Sequence, residues 1–299
     1  MPPWVLKELS SLVFSFFWSG KRELVSQSVV TQPSLLGGFS VVDVKLKVWS
    51  LIGQWVKWFA SSPSGWVSFM SYWFRSCFLA DPTEVFSEPF AFSPRSLPPF
   101  YKSLLIAWCG LNGSFSVSCR SLVFASSNPL VCSSVLSMST KSCYLYLLSE
   151  SIVQPHCVVK FAPTFGALYW PATWRQLSFF DLDRQVIDLN WKVAHAVLYT
   201  AQRLVSFGLP VTLSCFCGSP VESLEHLFFY CPLAQSTLSW LQSLLFTFSS
   251  MAPVLECRHV LFDFSSDELC VVSRIFVYLL YLCKFSIWHS RNDFRFCDV

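Results

Sequence analysis

The sequence predicts a mainly α-helical protein, made of helical bundle segments with a small CCHC knuckle near the C-terminal third. Three observations carry this. Apolar residues recur at i, i+3 and i+4 over several stretches. Glycines such as Gly20 and Gly208 stand where those stretches should stop. Cys215, Cys217, His226 and Cys231 fall within 17 residues, spaced Cys-x-Cys-x8-His-x4-Cys.

The elements follow in order. "PPWVLKELSSLVFSFFWSG" reads as a helix, with Val5, Leu9, Leu12, Val13, Phe16 and Phe17 on one stripe. "RELVSQSVVTQP" is β-like, and Gly37-Gly38 makes a tight turn. That pair lacks the spacing of a phosphate loop. "DVKLKVWSLIGQWVKWFAS" is a second helix, with Val44, Val48, Leu51, Trp55 and Trp58 on its face. Asp81 to Pro99 is a Pro-, Ser- and Phe-rich connector. Phe100 to Ile152 alternates apolar runs with Ser-rich turns. "PATWRQLSFFDLDRQVIDLNWKVAHAVLYTAQRLVSFG" opens a last helical region. Trp191, Ala194, Leu198 and Val205 form its stripe, and His195 reads as a core or half-exposed histidine beside it. The expected domains are 1–80, 81–170 and 171–299.

Composition narrows the class. Hydrophobic residues make up 53% of the 299, aromatics 17% and charged residues 13%, where soluble domains carry about 25% charged residues. A mean hydropathy of +0.49 raises the question of a membrane. No window answers it. The uncharged stretch Leu227–Leu255 contains Pro232, Gln235, Gln242 and Pro253, and "IFVYLLYLC" is flanked by Arg274 and Lys284. Glu8 and the lack of a small-residue cleavage site argue against a signal peptide. The expectation is an intracellular chain, cytoplasmic or nuclear, whose over-apolar surface a partner covers. The 13 cysteines are mostly scattered, as small buried hydrophobes would be in a reducing compartment.

A net charge of +3 is too small to announce a nucleic-acid binder. Its distribution says more. Lys21, Arg22, Lys45 and Lys47 concentrate near the start, and Lys284, Arg291 and Arg295 near the end. No Lys or Arg lies between Arg203 and Arg258.

The Cys/His cluster supplies the four N and S ligands that tetrahedral Zn2+ prefers. Ser219-Pro220-Val221-Glu222 reads as a capping box that starts a helix at Pro220. On an unbroken α-helix Cys231 would lie about 140° around from His226. Pro232 resolves this by ending the helix near Tyr230, so that Cys231 swings back. The competing reading is three apolar core thiols beside an imidazole. A catalytic role fares worse: four protein ligands leave little room for a reactive water, and Glu225-His226 is not an HExxH arrangement.

These residues resemble a known family. Trp191, Thr200 with Arg203 and Leu204, Cys215 and Cys217 with Gly218, Glu222 to Phe228, Cys231-Pro232, and Trp288, Arg291, Asn292 and Phe296 are similar to the zinc-binding region that follows reverse transcriptase in non-LTR (LINE-type) retrotransposon polyproteins. The Phe16-x-Trp18-x-Gly20 and Gly37-Gly38-Phe39 marks resemble the segment after the polymerase palm. The sequence has no Asp-Asp pair to hold the polymerase metals. The resemblance therefore implies a non-catalytic C-terminal part of such a polyprotein, starting at its own Met1, with one structural Zn2+ on Cys215, Cys217, His226 and Cys231. It implies RNA or DNA as partner. The charge distribution of this sequence then assigns the contacts to Lys21, Arg22, Lys45, Lys47, Lys284, Arg291 and Arg295, with a solvated face as the alternative reading of those charges. It also implies a reverse transcriptase core, or another protein, covering the apolar surface. No small-molecule substrate is expected. The alternative is a non-enzymatic scaffold, or a decayed element copy.

Overall fold

The computed structural model describes residues 3–61, 65–78, 97–104, 116–118, 121–124, 133–134, 139–165, 170–177, 182–248, 252–262, 264, 268, 272 and 274–296. The chain is mainly helical, as expected. It forms two compact units, Met1–Glu23 with Val41–Ile152, and Leu24–Ser40 with Val153–Val299. These cross the three consecutive domains expected from sequence. The expected connector lies, up to residue 96, outside the described residues.

In the first unit, α1 (Pro3–Phe17) ends where the backbone turns left-handed at Ser19 (φ 51°) and Gly20 (φ 70°). Of its predicted stripe, Leu9, Leu12 and Phe16 are exposed, and Phe14 is the buried residue of the helix. The helix α3 (Val44–Ser61) begins at Asp43, whose Oδ1 accepts the Leu46 N–H at 2.9 Å. Its core face is the predicted one only in part: Trp55 packs against the core. Leu51 and Trp58 are exposed, while Leu46, Ser50 and Gly53 are buried. The reason is close approach: a Cβ at Gly53 would stand 3.7 Å from the Cys143 sulfur, and Ser50 satisfies its hydroxyl on the Lys47 carbonyl. A helix apolar on most sides does not announce which side packs. Met70 and Phe74 of α4 (Gly65–Phe78) and Cys143, Leu147 and Leu148 of α5 (Thr140–Glu150) complete this core. Ser139 caps α5 by accepting the Ser142 N–H.

The Ser-rich middle carries an antiparallel sheet of β1 (Ser116–Ser118), β2 (Ser121–Phe124) and β3 (Ser133–Ser134). Ser116 pairs with Val123, and Val123 with Ser134. The connector with helices expected over 81–170 carries α5 and the helix His156–Phe165 among its described residues; this sheet was not expected. The alternation in "SVS" is of period two, and "LVF" is a short run of strand-favouring apolar residues.

In the second unit, the β-like run is instead a helical turn, α2 (Gln27–Val30), with Val29 and Val30 buried. Tertiary placement overrides the β-branched preference. The chain then folds back tightly. A Cβ at Gly38 would sit 2.0 Å from the Gln32 carbonyl oxygen, so only glycine fits. Gly37, at φ 88°, points its carbonyl inward to accept from Trp191 Nε1 (3.0 Å) and His195 Nε2 (2.8 Å). These bonds tie residues 24–40 to the later helices. The helices are α6 (His156–Phe165), α7 (Trp170–Leu177), α8 (Arg184–Ala194) and α9 (Ala201–Ser206), followed by α10 (Pro232–Phe248), α11 (Cys257–Phe262) and α12 (Arg274–Phe296). The expected single stripe is broken at Ala196 (φ 56°), which leaves Val205 exposed. Gly208 (φ 76°) closes α9 as expected. Leu241, Val260, Phe262, Leu280 and Tyr281 are fully buried. Among the described residues, no helix is long and apolar enough to cross a membrane.

Candidate metal centre

Two local devices build the knuckle. The first is a tight loop: Gly218, at φ 89°, donates its N–H to the Cys215 carbonyl at 3.0 Å, and Cys215 donates to the Ser219 carbonyl at 2.9 Å. With one residue between the cysteines, the turn that Gly218 closes leaves their sulfurs within 4.8 Å of each other. Phe216, the intervening residue, packs its ring 5.3 Å from Phe294.

The second device is a π turn, His226–Tyr230. The Cys231 N–H donates to the His226 carbonyl at 2.6 Å, an i→i+5 bond that stacks residue i+5 over residue i. Cys231 itself is extended (ψ 135°), and Pro232 opens α10. The expected break before Pro232 is present. The π register does the rest of the work of returning Cys231 to His226. Leu227 and Phe228 anchor the turn, fully buried.

The capping box is corrected. The helical turn begins at Leu224 rather than Pro220, and Ser223 Oγ caps it by accepting the His226 N–H at 3.0 Å. Glu222, cast as the reciprocal cap, is fully buried and faces away from that role. Its carboxylate accepts from Arg291 Nη2 at 2.6 Å, from the Ala201 N–H at 2.8 Å and from Arg295 Nη2 at 3.4 Å. A buried carboxylate needs a charged partner more than a helix end needs a second cap.

The ligand atoms of Cys215, Cys217, His226 and Cys231 all lie within 4.8 Å of one another. Cys217 Sγ stands 3.3 Å from His226 Nε2. Bond lengths of about 2.3 Å to sulfur and 2.0 Å to nitrogen put the corners of a tetrahedral zinc site about 3.5–3.8 Å apart. The donor set therefore fits zinc with a small contraction. Cys215 and Cys231 are buried and Cys217 is exposed. Burial pushes the Cys215 thiol up to about 12 and raises that of Cys231. Burial also pushes on Cys217, but the Ser219 N–H and the two neighbouring thiols outweigh it and hold Cys217 below its ordinary value. A metal that displaces the protons of Cys215 and Cys231 must overcome that resistance.

The other sequence-predicted residues divide. Lys21, Arg22, Lys45 and Lys47 are exposed. Lys45 lies over the Trp49 ring at 4.5 Å and Lys47 over the Tyr144 ring at 5.9 Å. The expectation of phosphate contacts from the tail is corrected. Lys284 and Arg291 are 1% exposed. Lys284 lies over the Tyr281 ring, and Arg291 lies over Trp288 at 4.8 Å while bonding Glu222. Arg295 is committed to Glu222 and to the carbonyls of Thr212 (3.3 Å) and Ser214 (2.7 Å). A signal for this existed: Glu222 lies in a stretch without Lys or Arg, so a cation for it had to come from elsewhere.

A second thiol–imidazole pair is inert. Cys157 Sγ lies 3.8 Å from His195 Nδ1. His195 Nε2 donates to a carbonyl, so Nδ1 holds the lone pair. Burial pushes Cys157 up to about 12 and His195 down to about 4, which keeps both neutral.

Comparison with known proteins agrees with this geometry. Residues 139–238 match the family described as zinc-binding in reverse transcriptase. All four ligand residues lie within that match. No curated protein matches the chain.

Proposed function

We propose that this chain is a non-catalytic, zinc-binding part of a non-LTR retrotransposon reverse transcriptase polyprotein, with one structural Zn2+ on Cys215, Cys217, His226 and Cys231. One observation carries the reading: the four donor atoms converge within 4.8 Å inside the segment that matches the zinc-binding family. The metal would supply cross-linking of the Cys215 loop to the π turn, with no open position for chemistry. The lack of any Asp-Asp pair supports the non-catalytic reading.

Metal analysis of the purified full chain should return about one zinc per chain. Changing both Cys217→Ala and His226→Ala should abolish it. Metal retained by that double variant would sink the reading.

RNA or DNA is the proposed partner, through the exposed Lys21, Arg22, Lys45 and Lys47 of the first unit. The knuckle has no Lys or Arg from Leu204 to Cys257 and is a poor phosphate clamp. A second reading, a scaffold that docks a protein through apolar surface, draws on the exposure of Trp4, Phe16, Trp240 and Phe248. Ionic strength separates them: nucleic-acid binding weakens steeply with salt, whereas apolar docking does not.

A further inference from the structure

The geometry points to Arg295 as the positioning residue of the metal centre, acting with Arg291 and Glu222 as a clasp between α12 and the ligand loop. The inference rests on the zinc reading above and goes beyond its ligands.

Three observations converge. First, Arg295 reaches across 81 residues of sequence to the Ser214 carbonyl at 2.7 Å and the Thr212 carbonyl at 3.3 Å. The Ser214 carbonyl belongs to the peptide that enters Cys215. The guanidinium therefore holds the backbone one peptide away from a ligand. Second, Glu222 grips the same strip from its other side, since its N–H donates to the Leu213 carbonyl at 2.9 Å. Thr212, Leu213 and Ser214 thus have every carbonyl tied, alternately to Arg295 and Glu222. Third, Glu222 is fully buried and is itself held by Arg291, 1% exposed, through Nη2 at 2.6 Å and Nε at 3.2 Å to both oxygens. Nothing in the clasp is left to solvent rearrangement except Arg295, whose side chain is 13% exposed.

Arg291 supplies the anchor for Glu222, and Arg295 supplies the contact that fixes the loop carrying Cys215.

The test is zinc affinity of the full chain by competition with a chromophoric chelator, beside the melting temperature of the metal-free protein. Arg295→Gln should lower zinc affinity about tenfold, the scale of an outer partner of a metal ligand. Arg295→Lys keeps the charge but not the two-carbonyl fork, and should recover part of the loss. Ile287→Val loosens the same helix at a buried position (2% exposed) away from the clasp. It should lower the metal-free melting temperature and leave zinc affinity unchanged. Equal zinc affinity for wild type and Arg295→Gln would overturn the positioning role alone, as would an equal affinity loss in Ile287→Val. Wild-type chain that takes up no zinc would overturn the zinc reading, and this inference with it.

Discussion

Single residues in this protein are set by what they touch rather than by their type. His195 was legible as a core or half-exposed histidine rather than a ligand, because no second ligand lay near it in sequence. Its partners were not legible. It stacks on Trp174 (ring centroids 4.7 Å) and donates to the Gly37 carbonyl, 158 residues away. Burial, opposed by that carbonyl, lowers its affinity for protons from an ordinary value of 6.5 to about 4. Between those values the unfolded chain binds a proton that the fold refuses, so stability falls as pH drops through this window. The loss should reach roughly 3 kcal/mol by pH 4. Thermal melting from pH 7 to pH 4.5 should show the slope, and His195→Gln should flatten it. A slope unchanged in that variant would assign the acid sensitivity elsewhere.

Helices and turns were read correctly wherever a stop signal was local. Gly20, Gly208 and Pro232 end or open elements where expected, because each acts on its own backbone. Errors came where a distant partner competed. The Ser219–Glu222 cap failed because Glu222 is drawn into a buried ion pair on α12. That pair has a measurable consequence. Removing one partner of a buried pair strands the other charge, at a cost of about 3–5 kcal/mol. Arg291→Met should lose that much in denaturant unfolding, while Glu222→Leu combined with Arg291→Met should recover most of it. Additive losses in the double variant would mean that the two side chains do not act as a pair.

At the scale of the whole molecule, the division into two units predicts that the effect of zinc at the knuckle is local. Zinc that binds only the folded knuckle stabilises it by mass action, by about 2.7 kcal/mol at a free concentration 100 times Kd. Chelation should raise amide hydrogen exchange across 212–231 and 291–295, on the ligand loop, the π turn and the clasp. Exchange in α3, within the other unit, should stay as it was. A rise of equal size in α3 would show that the metal holds the entire chain together.

By itself the sequence determined the helical class, the ligand set of the knuckle and the break at Cys231-Pro232. All three are written in short-range spacing and in the stereochemistry of single residues. The tertiary structure decided which helix faces pack, as at Gly53 against Cys143, and where the segment 24–40 belongs. It also turned Lys284 and Arg291 from expected phosphate contacts into interior groups, and committed Arg295 to Glu222 and to the Thr212 and Ser214 carbonyls. The physical reason is one of range. A charge declares its sign in the sequence, but whether it meets water or a buried carboxylate depends on residues dozens of positions away. Arg291 and Glu222 are 69 apart, and only the folded chain brings them to 2.6 Å.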